Sequence, residues 1–477
     1  MCAEGSIPAE SPYACATWLR FCGSLSRRRL DRLARARRVA RGARGKRHAQ
    51  RGSRRHAAGS GARPPSQEGS RPTRPRSSPA SQSQLTTRRD GLRLGVVLVV
   101  GLRVVLGVVA VAAINLAPRA GIVHGNWEDL VITGGEPWSE LLSTWQRWDA
   151  LWYQHIAEEG YAAGNGTTAF FPLYPLLSRV VSVPLGGQIV VAELLVTSVS
   201  FVGAMWLLYR IAQRETGAST VGYLAVLLTA LFPVGFFLLA PYTESLFLAL
   251  TLAAFWLART DRPWAAGAVG FLAALTRAQG IFLALAIAFE YLRTYDVLPW
   301  IMRRGGRRPG AALMAAALPI AGTAAVTLYE RIIVGEQRSS LEVLAAWGYQ
   351  VVPPWEALRA GWNHILAGGA NGNLAEIEAL NLVNLLGFGG IALVAARRLP
   401  AAYALYTLPS LALLFTHVGY ISPLGSASRY VLVLFPCFIF LAMWLSTRRW
   451  MAIAWLSVSA ILLLLLFQFW ARWGFVG

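Results

Sequence analysis

Four charged residues at the edges of apolar runs carry side chains suited to transferring a group from a phosphate. Asp149 lies in WQRWDALWYQHIAEEGY, Glu244 in PYTES, Arg277 in LTRAQG and Arg429 in SASRY. A carboxylate can take the proton of an attacking hydroxyl, and arginines can stabilise a departing phosphate. Charged side chains at a membrane rim are costly unless they have a partner or a function. These four residues are therefore the first candidates for a reactive site.

Asp149 is the leading candidate for the base, because it lies among aromatic residues in a stretch with helical spacing. A plainer interpretation is a carboxylate that pairs with neighbouring Arg147 or caps a turn. Glu128 and Asp129 are alternative candidates for the base or for a metal ligand, unless they only form a solvated acidic loop. No metal site is predicted, and a divalent metal stays an open alternative.

The arginines are the predicted phosphate contacts. Arg277 lies between two short apolar runs and Arg429 opens another, although an arginine at such a place also serves to stop a span or to reach lipid headgroups. Glu244 follows Tyr242 closely, and it either contacts a substrate or pairs with Arg277. His417 lies near a helix end and is a further candidate for substrate contact, against a purely structural role.

The composition indicates that the chain that carries these residues is a membrane protein. Hydrophobic residues make up 55% of the 477 residues and charged residues only 14%. The net charge of +21 is concentrated in residues 1–90, which hold 21 of the 45 basic and 5 of the 24 acidic residues. Nucleic acid is therefore not an expected partner. We predict a disordered basic cytoplasmic tail over 1–90 and a transmembrane domain over 91–477.

Eleven apolar runs are candidates for membrane spans, which need about 20 apolar residues each. They cover approximately 94–117, 187–209, 219–239, 243–259, 264–278, 280–294, 310–333, 379–396, 400–416, 429–446 and 450–470. The fifth and sixth runs are short, so a helical hairpin that crosses only partly is an alternative for them. The fold class predicted is an all-α polytopic membrane protein.

Arginine-rich loops set the predicted orientation, because short cytoplasmic loops are enriched in basic residues. With the N-terminus in the cytoplasm, every basic loop is cytoplasmic, and 118–186 and 334–378 become long extracytoplasmic segments. The candidate site residues all fall on that outer side. Within the first outer segment, 139–158 has the spacing of an amphipathic helix lying at the membrane interface.

Five motifs resemble the PIG-V-type mannosyltransferase family. They are RWDALWYQHIAEEGY at 147–161, FFPLYPLL at 170–177, PYTESLFLALTL at 241–252, LTRAQG at 275–280 and SASRYVLVLFP at 426–436. The motifs occur in the family's order and extend over most of the predicted membrane domain. One departure is Arg277-Ala278-Gln279-Gly280, where eukaryotic members have Arg-Ser-Asn-Gly, and this bears on the acceptor more than on the donor.

The resemblance implies a membrane glycosyltransferase with a GT-C-type fold, acting by inversion on the extracytoplasmic face. It implies a polyprenyl-phosphate-mannose donor, membrane lipid as a partner, and a hydroxyl of a lipid, polymer or protein as acceptor. A multi-pass protein of a bacterial cell membrane is expected. Asp149 is the implied catalytic residue, and the substrate-binding candidates are Arg147, Trp148, Tyr242, Glu244, Arg277, His417, Arg429 and Tyr430.

Two other classes of function compete with this one. A transporter or flippase of lipid-linked sugars would also have many spans and rim arginines, but transporters carry coupling residues near the bilayer midplane and often have internal repeats. The sequence shows neither. A non-catalytic scaffold would leave the concentration of polar motifs on one face unexplained.

Overall fold

A computed structural model describes residues 79–116, 127–132, 137–368, 375–420 and 422–476. All of them lie in one compact unit, Ser77–Gly477. The predicted tail lies outside the described residues as far as residue 78. The first helix begins at Pro79, so the run predicted at 94–117 is the C-terminal part of a longer helix.

The described chain is built almost entirely from helices. The α-helices are α1 Pro79–Leu116, α2 Pro137–Ser143, α3 Asp149–Glu159, α4 Leu173–Ser182, α5 Ile189–Thr216, α6 Ser219–Ala230, α7 Glu244–Arg259, α8 Pro263–Ala274, α9 Leu283–Thr294, α10 Leu298–Ile301, α11 Leu318–Tyr329, α12 Ser340–Ala346, α13 Pro354–Leu366, α14 Ala375–Arg398, α15 Ala401–Leu414, α16 Ala427–Tyr430, α17 Phe435–Leu445 and α18 Arg449–Ala471. The predicted all-α fold is thus confirmed.

Short 3-10 turns, one π-helical turn and two strands complete the fold. The 3-10 turns are Glu128–Leu130, Thr167–Ala169, Val183–Leu185, Gly235–Leu238, Ala278–Phe282, Ala311–Ala317 and Val431–Val433, and the π-helical turn is Glu330–Val334. Strands β1 (Tyr349–Val351) and β2 (His417–Gly419) pair antiparallel, with Gln350 opposite Val418. This pairing joins the second predicted outer segment to the turn that carries His417.

Five helical segments in the described part of the chain are long and apolar enough to cross a membrane: Asp90–Leu116, Ile189–Thr216, Ala311–Val334, Ala375–Arg398 and Arg449–Ala471. A sixth is the broken pair Ala427–Val433 and Phe435–Leu445, which bends by 79°. The polytopic class is therefore confirmed, and the predicted count of eleven spans is not. Most of the other predicted runs form helices too short to cross alone.

The predicted fifth and sixth runs form the short helices α8 and α9. Each has 12 residues, which at a rise of 1.5 Å per residue spans about 18 Å, less than the roughly 30 Å of a hydrocarbon core. The 3-10 turn Ala278–Phe282 joins them. They form the helical hairpin that was the alternative to two full spans.

The segment 139–158 is not one amphipathic helix, as its spacing had predicted. It forms α2 and α3, and the chain between them includes Trp148 with φ +54°. Seven of the eleven residues of α3 are buried within the protein, so the helix packs against protein on most of its surface. The prediction failed because periodicity cannot detect a backbone break imposed by packing from distant parts of the chain.

Helix α5 lies at the centre of the packing and contacts α1, α4, α6 and α7. Two glycines make room for its buried Tyr209: a Cβ at Gly91 of α1 or at Gly222 of α6 would lie 2.8 Å from the Tyr209 ring. Small residues at helix contacts allow the close approach on which membrane helix packing depends. The bundle thus built supports the ends of α3, α7 and α16, where the candidate site residues lie.

Candidate active site

A cavity of about 610 Å³ brings together residues from six separated parts of the chain. Six of the predicted site residues line it: Trp148, Asp149, Arg277, His417, Arg429 and Tyr430. They belong to the start of α3, the turn between α8 and α9, strand β2 and helix α16. The convergence expected from the predicted topology is therefore present in the structure.

Two carboxylates and two arginines form an alternating chain of ion pairs at this cavity, and three of the four line it. Arg429 Nη1 lies 2.7 Å from Asp149 Oδ2, and Arg429 Nε donates to Glu244 Oε1 at 2.5 Å. Arg277 Nη1 donates to the same Glu244 oxygen at 2.6 Å and to Thr243 Oγ1 at 3.2 Å. We call Asp149, Arg429, Glu244 and Arg277 the outer network. Arg429 links the two carboxylates, so the predicted pair of Glu244 with Arg277 is one part of a larger chain.

The four side chains differ in access to the cavity. The Asp149 side chain is 27% exposed, whereas the other three are buried and Glu244 is fully so. Glu244 does not line the cavity, and its Oε2 has no hydrogen-bond partner in the described structure. Asp149 is thus the carboxylate placed to meet a substrate, and Glu244 is placed to hold the two arginines.

A strained residue positions Asp149. Trp148 has φ +54° and ψ −120°, which ends the preceding turn and makes Asp149 the first residue of α3. Such a conformation costs about 1–3 kcal/mol and persists only where packing imposes it. Here the Trp148 ring packs against Trp473 and Phe475, and its Nε1 donates to the Gly474 carbonyl at 3.3 Å.

Arg147 and Tyr242, predicted to contact substrate, lie behind the cavity wall instead. Arg147 Nε donates to the Ala471 carbonyl at 2.8 Å, and its guanidinium packs over the Trp473 ring. The Tyr242 hydroxyl donates to the Arg147 carbonyl at 3.0 Å. Neither residue lines the cavity, so both support the loop before Asp149. The plainer interpretation of Asp149 was a pair with Arg147 or a turn cap, and the structure shows Asp149 paired with Arg429 at 2.7 Å.

Tight packing of the turn after α8 fixes Arg277. A Cβ at Gly280 would lie 2.5 Å from the Ala274 Cα, so only glycine permits this close return of the chain. The guanidinium of Arg277 also lies over the Tyr430 ring, 4.7 Å from its centroid. Contact with a carboxylate on one side and an aromatic face on the other holds the cation in place at the cavity wall.

Tyr153 lines the same cavity one helical turn after Asp149. Its ring packs edge-on against Phe170 and Tyr174. Burial, followed by the negative charge of Asp149, raises the pKa of the Tyr153 phenol well above its usual value. The phenol therefore stays protonated at neutral pH and can donate a hydrogen bond into the cavity.

His417 enters the cavity from strand β2 with a defined tautomer. Its Nδ1 lies 2.9 Å from the Leu413 carbonyl, which only accepts hydrogen bonds, so Nδ1 carries the proton. In the neutral ring Nε2 is then an acceptor. It has no partner in the described structure and is available to a substrate hydroxyl.

Glu128 and Asp129, the alternative candidates for base or metal ligand, lie elsewhere. They form the short turn Glu128–Leu130, and neither lines the cavity. The preceding Trp127 stacks on His155 with ring centroids 3.7 Å apart. Within the described ranges, no three His, Cys, Asp or Glu side chains are grouped so that they could hold a metal ion.

Part of the cavity wall was not predicted from the sequence. Leu344, Trp347 and Tyr349 line the cavity from the segment that includes α12 and β1. A local signal for this helix exists, because Ser339 and Glu342 form a capping box at its start. The signal predicts a helix, but not that its end would pack over Trp152, where the Trp152 and Trp347 ring centroids are 4.7 Å apart.

A second unpredicted residue, Glu336, ties this segment to the first outer segment. Its Oε2 accepts from the Gly164 backbone N–H at 3.0 Å and from the Arg338 guanidinium at 2.7 Å. These hydrogen bonds, chiefly the one from Arg338, lower the pKa of the Glu336 carboxyl to about 2. Glu336 is thus a latch that joins the loop at Gly164 to the segment before α12.

Comparisons with known proteins agree with the motifs. Residues 133–318 match the family described as mannosyltransferase (PIG-V). Over 150 residues the chain is 33% identical to the GPI alpha-1,6-mannosyltransferase 2 of Rattus norvegicus and 32% identical to that of Cricetulus griseus. Each alignment covers 30% of this chain and 30% of the relative, so the chain matches less than a third of the length of these relatives.

Among solved structures, the chain is similar to the archaeal oligosaccharyltransferase AglB from Archaeoglobus fulgidus, solved with an inhibitory peptide and a dolichol-phosphate. The TM-score is 0.38 at 12% identity, over 80% of this chain and 56% of that one. The family match covers Trp148, Asp149, Glu244 and Arg277. The resemblance predicted from the motifs is confirmed, and the part of the chain that carries three of the four residues of the outer network matches the mannosyltransferase (PIG-V) family.

Proposed function

We propose that this protein is a membrane glycosyltransferase that moves mannose from a polyprenyl-phosphate-mannose donor to a hydroxyl of a lipid, polymer or protein. The observation that carries the proposal is the outer network, in which one partly exposed carboxylate and two buried arginines face a single cavity. The family match supports mannose as the sugar. The polyprenyl phosphate carrier comes from the motif resemblance.

In this proposal Asp149 is the general base. The acceptor hydroxyl oxygen attacks the anomeric carbon, the bond from that carbon to the phosphate oxygen breaks, and its electrons leave with the polyprenyl phosphate. The acceptor proton passes to the Asp149 carboxylate. Arg277 and Arg429 stabilise the charge that grows on the phosphate. Attack opposite to the leaving group inverts the anomeric centre.

The pair between Arg429 and Asp149 gives donor binding a role in activating the base. In the structure the Arg429 guanidinium contacts Asp149 Oδ2 at 2.7 Å. A bound phosphate competes with Asp149 for Arg429 and weakens this contact. The Asp149 oxygen is then free to accept the hydroxyl proton once the donor is in place. Glu244 continues to hold Arg429 through Nε.

The remaining cavity wall suits a lipid-linked donor. The apolar side chains Leu341, Leu413, Leu414 and Phe475 line it beside the charged residues. The volume of about 610 Å³ lies within the range of small-molecule sites. A sugar phosphate can meet the arginines while the first prenyl units contact the apolar wall.

The reaction is proposed to occur on the extracytoplasmic face of a bacterial cell membrane, with the N-terminus in the cytoplasm. The basic residues of predicted cytoplasmic loops meet at the other end of the bundle, where Arg214 donates to the Arg259 carbonyl at 2.8 Å. In a cysteine-free background, Asn363→Cys on α13 should react with an impermeant thiol reagent in intact cells, and Arg304→Cys should not. The reverse pattern would overturn the orientation.

The reaction itself is tested with membranes that contain the protein and radiolabelled polyprenyl-phosphate-mannose. Label should move to an extractable lipid, a polymer or a protein, and the labelled fraction identifies the acceptor. Membranes with Asp149→Asn are the matched control. Movement of intact labelled donor across the bilayer without transfer would instead favour the transporter alternative, for which no structural observation in the described chain speaks.

A further inference from the structure

Two side chains in the cavity wall present polar atoms that have no protein hydrogen-bond partner in the described structure. Gln279 and Tyr153 are each only 5% exposed, and both line the cavity. The Gln279 amide and the Tyr153 hydroxyl are not fully enclosed by protein, so they are open to the cavity. Neither residue has a role in the mechanism above. Polar groups that converge on a cavity fix the orientation of a ligand there.

A ligand with hydroxyl groups would satisfy both residues. The Gln279 amide offers two donors and one acceptor, and the protonated Tyr153 phenol offers a donor. Neighbouring hydroxyls of a pyranose ring donate and accept at similar spacing, so an amide can bind two of them together. A prenyl chain has no hydrogen-bonding group to offer. The chemistry of these two residues therefore fits a sugar ring.

The positions of the two residues indicate that they bind the transferred sugar and not a sugar of the acceptor. Gln279 follows Arg277 by two residues on the same tight turn, and Tyr153 follows Asp149 by one turn of α3. In the proposed reaction the transferred sugar must lie between the phosphate at the arginines and the base at Asp149. Gln279 lies beside the phosphate end and Tyr153 beside the base, so the two residues flank the transferred ring. An acceptor approaches from beyond Asp149.

We infer that Gln279 and Tyr153 form the hydroxyl-binding subsite for the transferred hexose, with Gln279 the main residue that distinguishes one hexose from another. This inference rests on the proposed function. In addition to the arginines that bind the phosphate and the carboxylate that accepts the proton, the site then has a residue that recognises the sugar. The inference places Gln279 on the donor side, whereas the sequence comparison had predicted that this departure bears on the acceptor more than on the donor.

The test measures binding to purified full-length protein in lipid nanodiscs. The two ligands are polyprenyl-phosphate-mannose and polyprenyl phosphate, which share lipid and phosphate and differ by the sugar. Gln279→Met keeps an unbranched side chain of similar length and removes the amide. Tyr153→Phe removes one oxygen atom. Gln188→Met, at an exposed position before α5, is the matched control.

Gln279→Met should weaken binding of the mannose-bearing ligand by about 5- to 50-fold, the range expected when a ligand hydroxyl loses its buried partner. Binding of polyprenyl phosphate should change less than about twofold, and Gln188→Met should change neither. Tyr153→Phe should weaken only the mannose-bearing ligand, by about 3- to 10-fold. With polyprenyl-phosphate-glucose as competitor, the wild-type preference for mannose should shrink in Gln279→Met.

Three results would overturn the inference. Equal weakening of both ligands would show a structural or phosphate-binding role for Gln279, and no change in either would show that it does not contact the sugar. Unchanged donor binding with a raised acceptor KM would move the residue to the acceptor side. Failure of the proposed function looks different: wild-type protein would bind both ligands and transfer nothing, and the binding ratio would still test the sugar contact.

Discussion

The molecule contains two alternating chains of two carboxylates and two arginines, at the two ends of helix α7. The outer network includes Glu244, the first residue of α7. At the last residue, Arg259 Nη1 lies 3.0 Å from Glu215 and 3.6 Å from Glu290, which in turn pairs with Arg293 at 2.6 Å. We call Glu215, Arg259, Glu290 and Arg293 the inner network. A 16-residue helix separates the two networks by roughly 22 Å.

The two networks have the same charges but different surroundings. The inner network lines no part of the 610 Å³ cavity, and the Tyr403 hydroxyl donates to Glu215 at 3.0 Å. Its outermost member, Arg293, is 48% exposed and can be solvated. The outer network instead borders a cavity whose wall contains unfilled hydrogen-bonding groups. Unsatisfied atoms alone do not distinguish the networks, because Arg259 Nε and Glu290 Oε1 of the inner network also lack hydrogen-bond partners among the described residues. A set of charges indicates a reactive site only where an accessible cavity accompanies it.

The largest expected effect is on the catalytic rate, which should fall when the outer network is changed and not when the inner network is changed. Asp149→Asn keeps the size of the side chain and removes the base, so we expect transfer to slow by about 10²- to 10⁴-fold. Binding of polyprenyl-phosphate-mannose should persist. Glu215→Gln, the corresponding change in the inner network, should leave the rate within about threefold of the wild type. Near-normal turnover by well-expressed Asp149→Asn would remove Asp149 as the base and leave His417 Nε2 as the next acceptor in the cavity.

The second prediction concerns stability. Glu244→Gln leaves the buried Arg277 without a carboxylate partner and Arg429 with Asp149 alone, and breaking a buried pair typically costs about 3–5 kcal/mol. Glu290→Gln should cost less, because Arg293 is partly solvated and Arg259 keeps Glu215. Thermal unfolding in nanodiscs should therefore show a clearly larger fall in Tm for Glu244→Gln. Equal losses would mean that burial does not distinguish the two networks.

The third prediction exchanges arginine for lysine in each network. Arg429 uses Nη1 and Nε on two different carboxylates, and one ammonium group cannot reproduce that fork. We expect Arg429→Lys to raise the donor KM by about 10- to 100-fold, the range for hydrogen bonds to charged groups. Arg259→Lys should raise it less than about twofold. Similar KM values for the two variants would contradict direct phosphate contact by Arg429.

The smallest effect is expected at the Glu336 latch, which belongs to neither network. Because its pKa is lowered to about 2, the latch contributes fully above the ordinary carboxyl pKa of about 4.3 and is lost as the pH falls toward 2. Hydrogen exchange of the Gly164 amide, corrected for its intrinsic rate, should therefore rise a few-fold in acid. Glu336→Gln should show that faster exchange already at pH 7. A pH-independent wild-type rate would contradict the latch.

The sequence predicted which polar motifs meet. Successive spans cross the membrane in opposite directions, so each connecting turn is assigned to one face of the membrane. Asp149, Arg277, His417 and Arg429 do line one cavity. The pairing of Glu244 with Arg277 was one of two alternatives, since spacing cannot give a distance between turns. The predicted count of eleven spans is not confirmed, because apolar runs such as those of α6 and α8 have the composition of a span but form helices shorter than a full crossing.

Features that depend on distant contacts could not be predicted. Helical spacing continues through Trp148, so only its contacts with Gly474 and Phe475 reveal the break before Asp149. The pairing of Tyr349 with Gly419 joins residues 70 positions apart with no local turn signal. Gln279 stood in a recognised motif, but its lack of a partner is visible only when its neighbours are in place.

The contacts of Trp148 and Arg147 with residues 471–474 have a consequence for biosynthesis. Each joins residues more than 320 positions apart in the chain. The conformation that presents Asp149 therefore cannot form until the ribosome has released the segment after α18, the last helix described. Earlier intermediates lack these contacts, and the Asp149 carboxylate reaches its position only after the preceding helices have been synthesised.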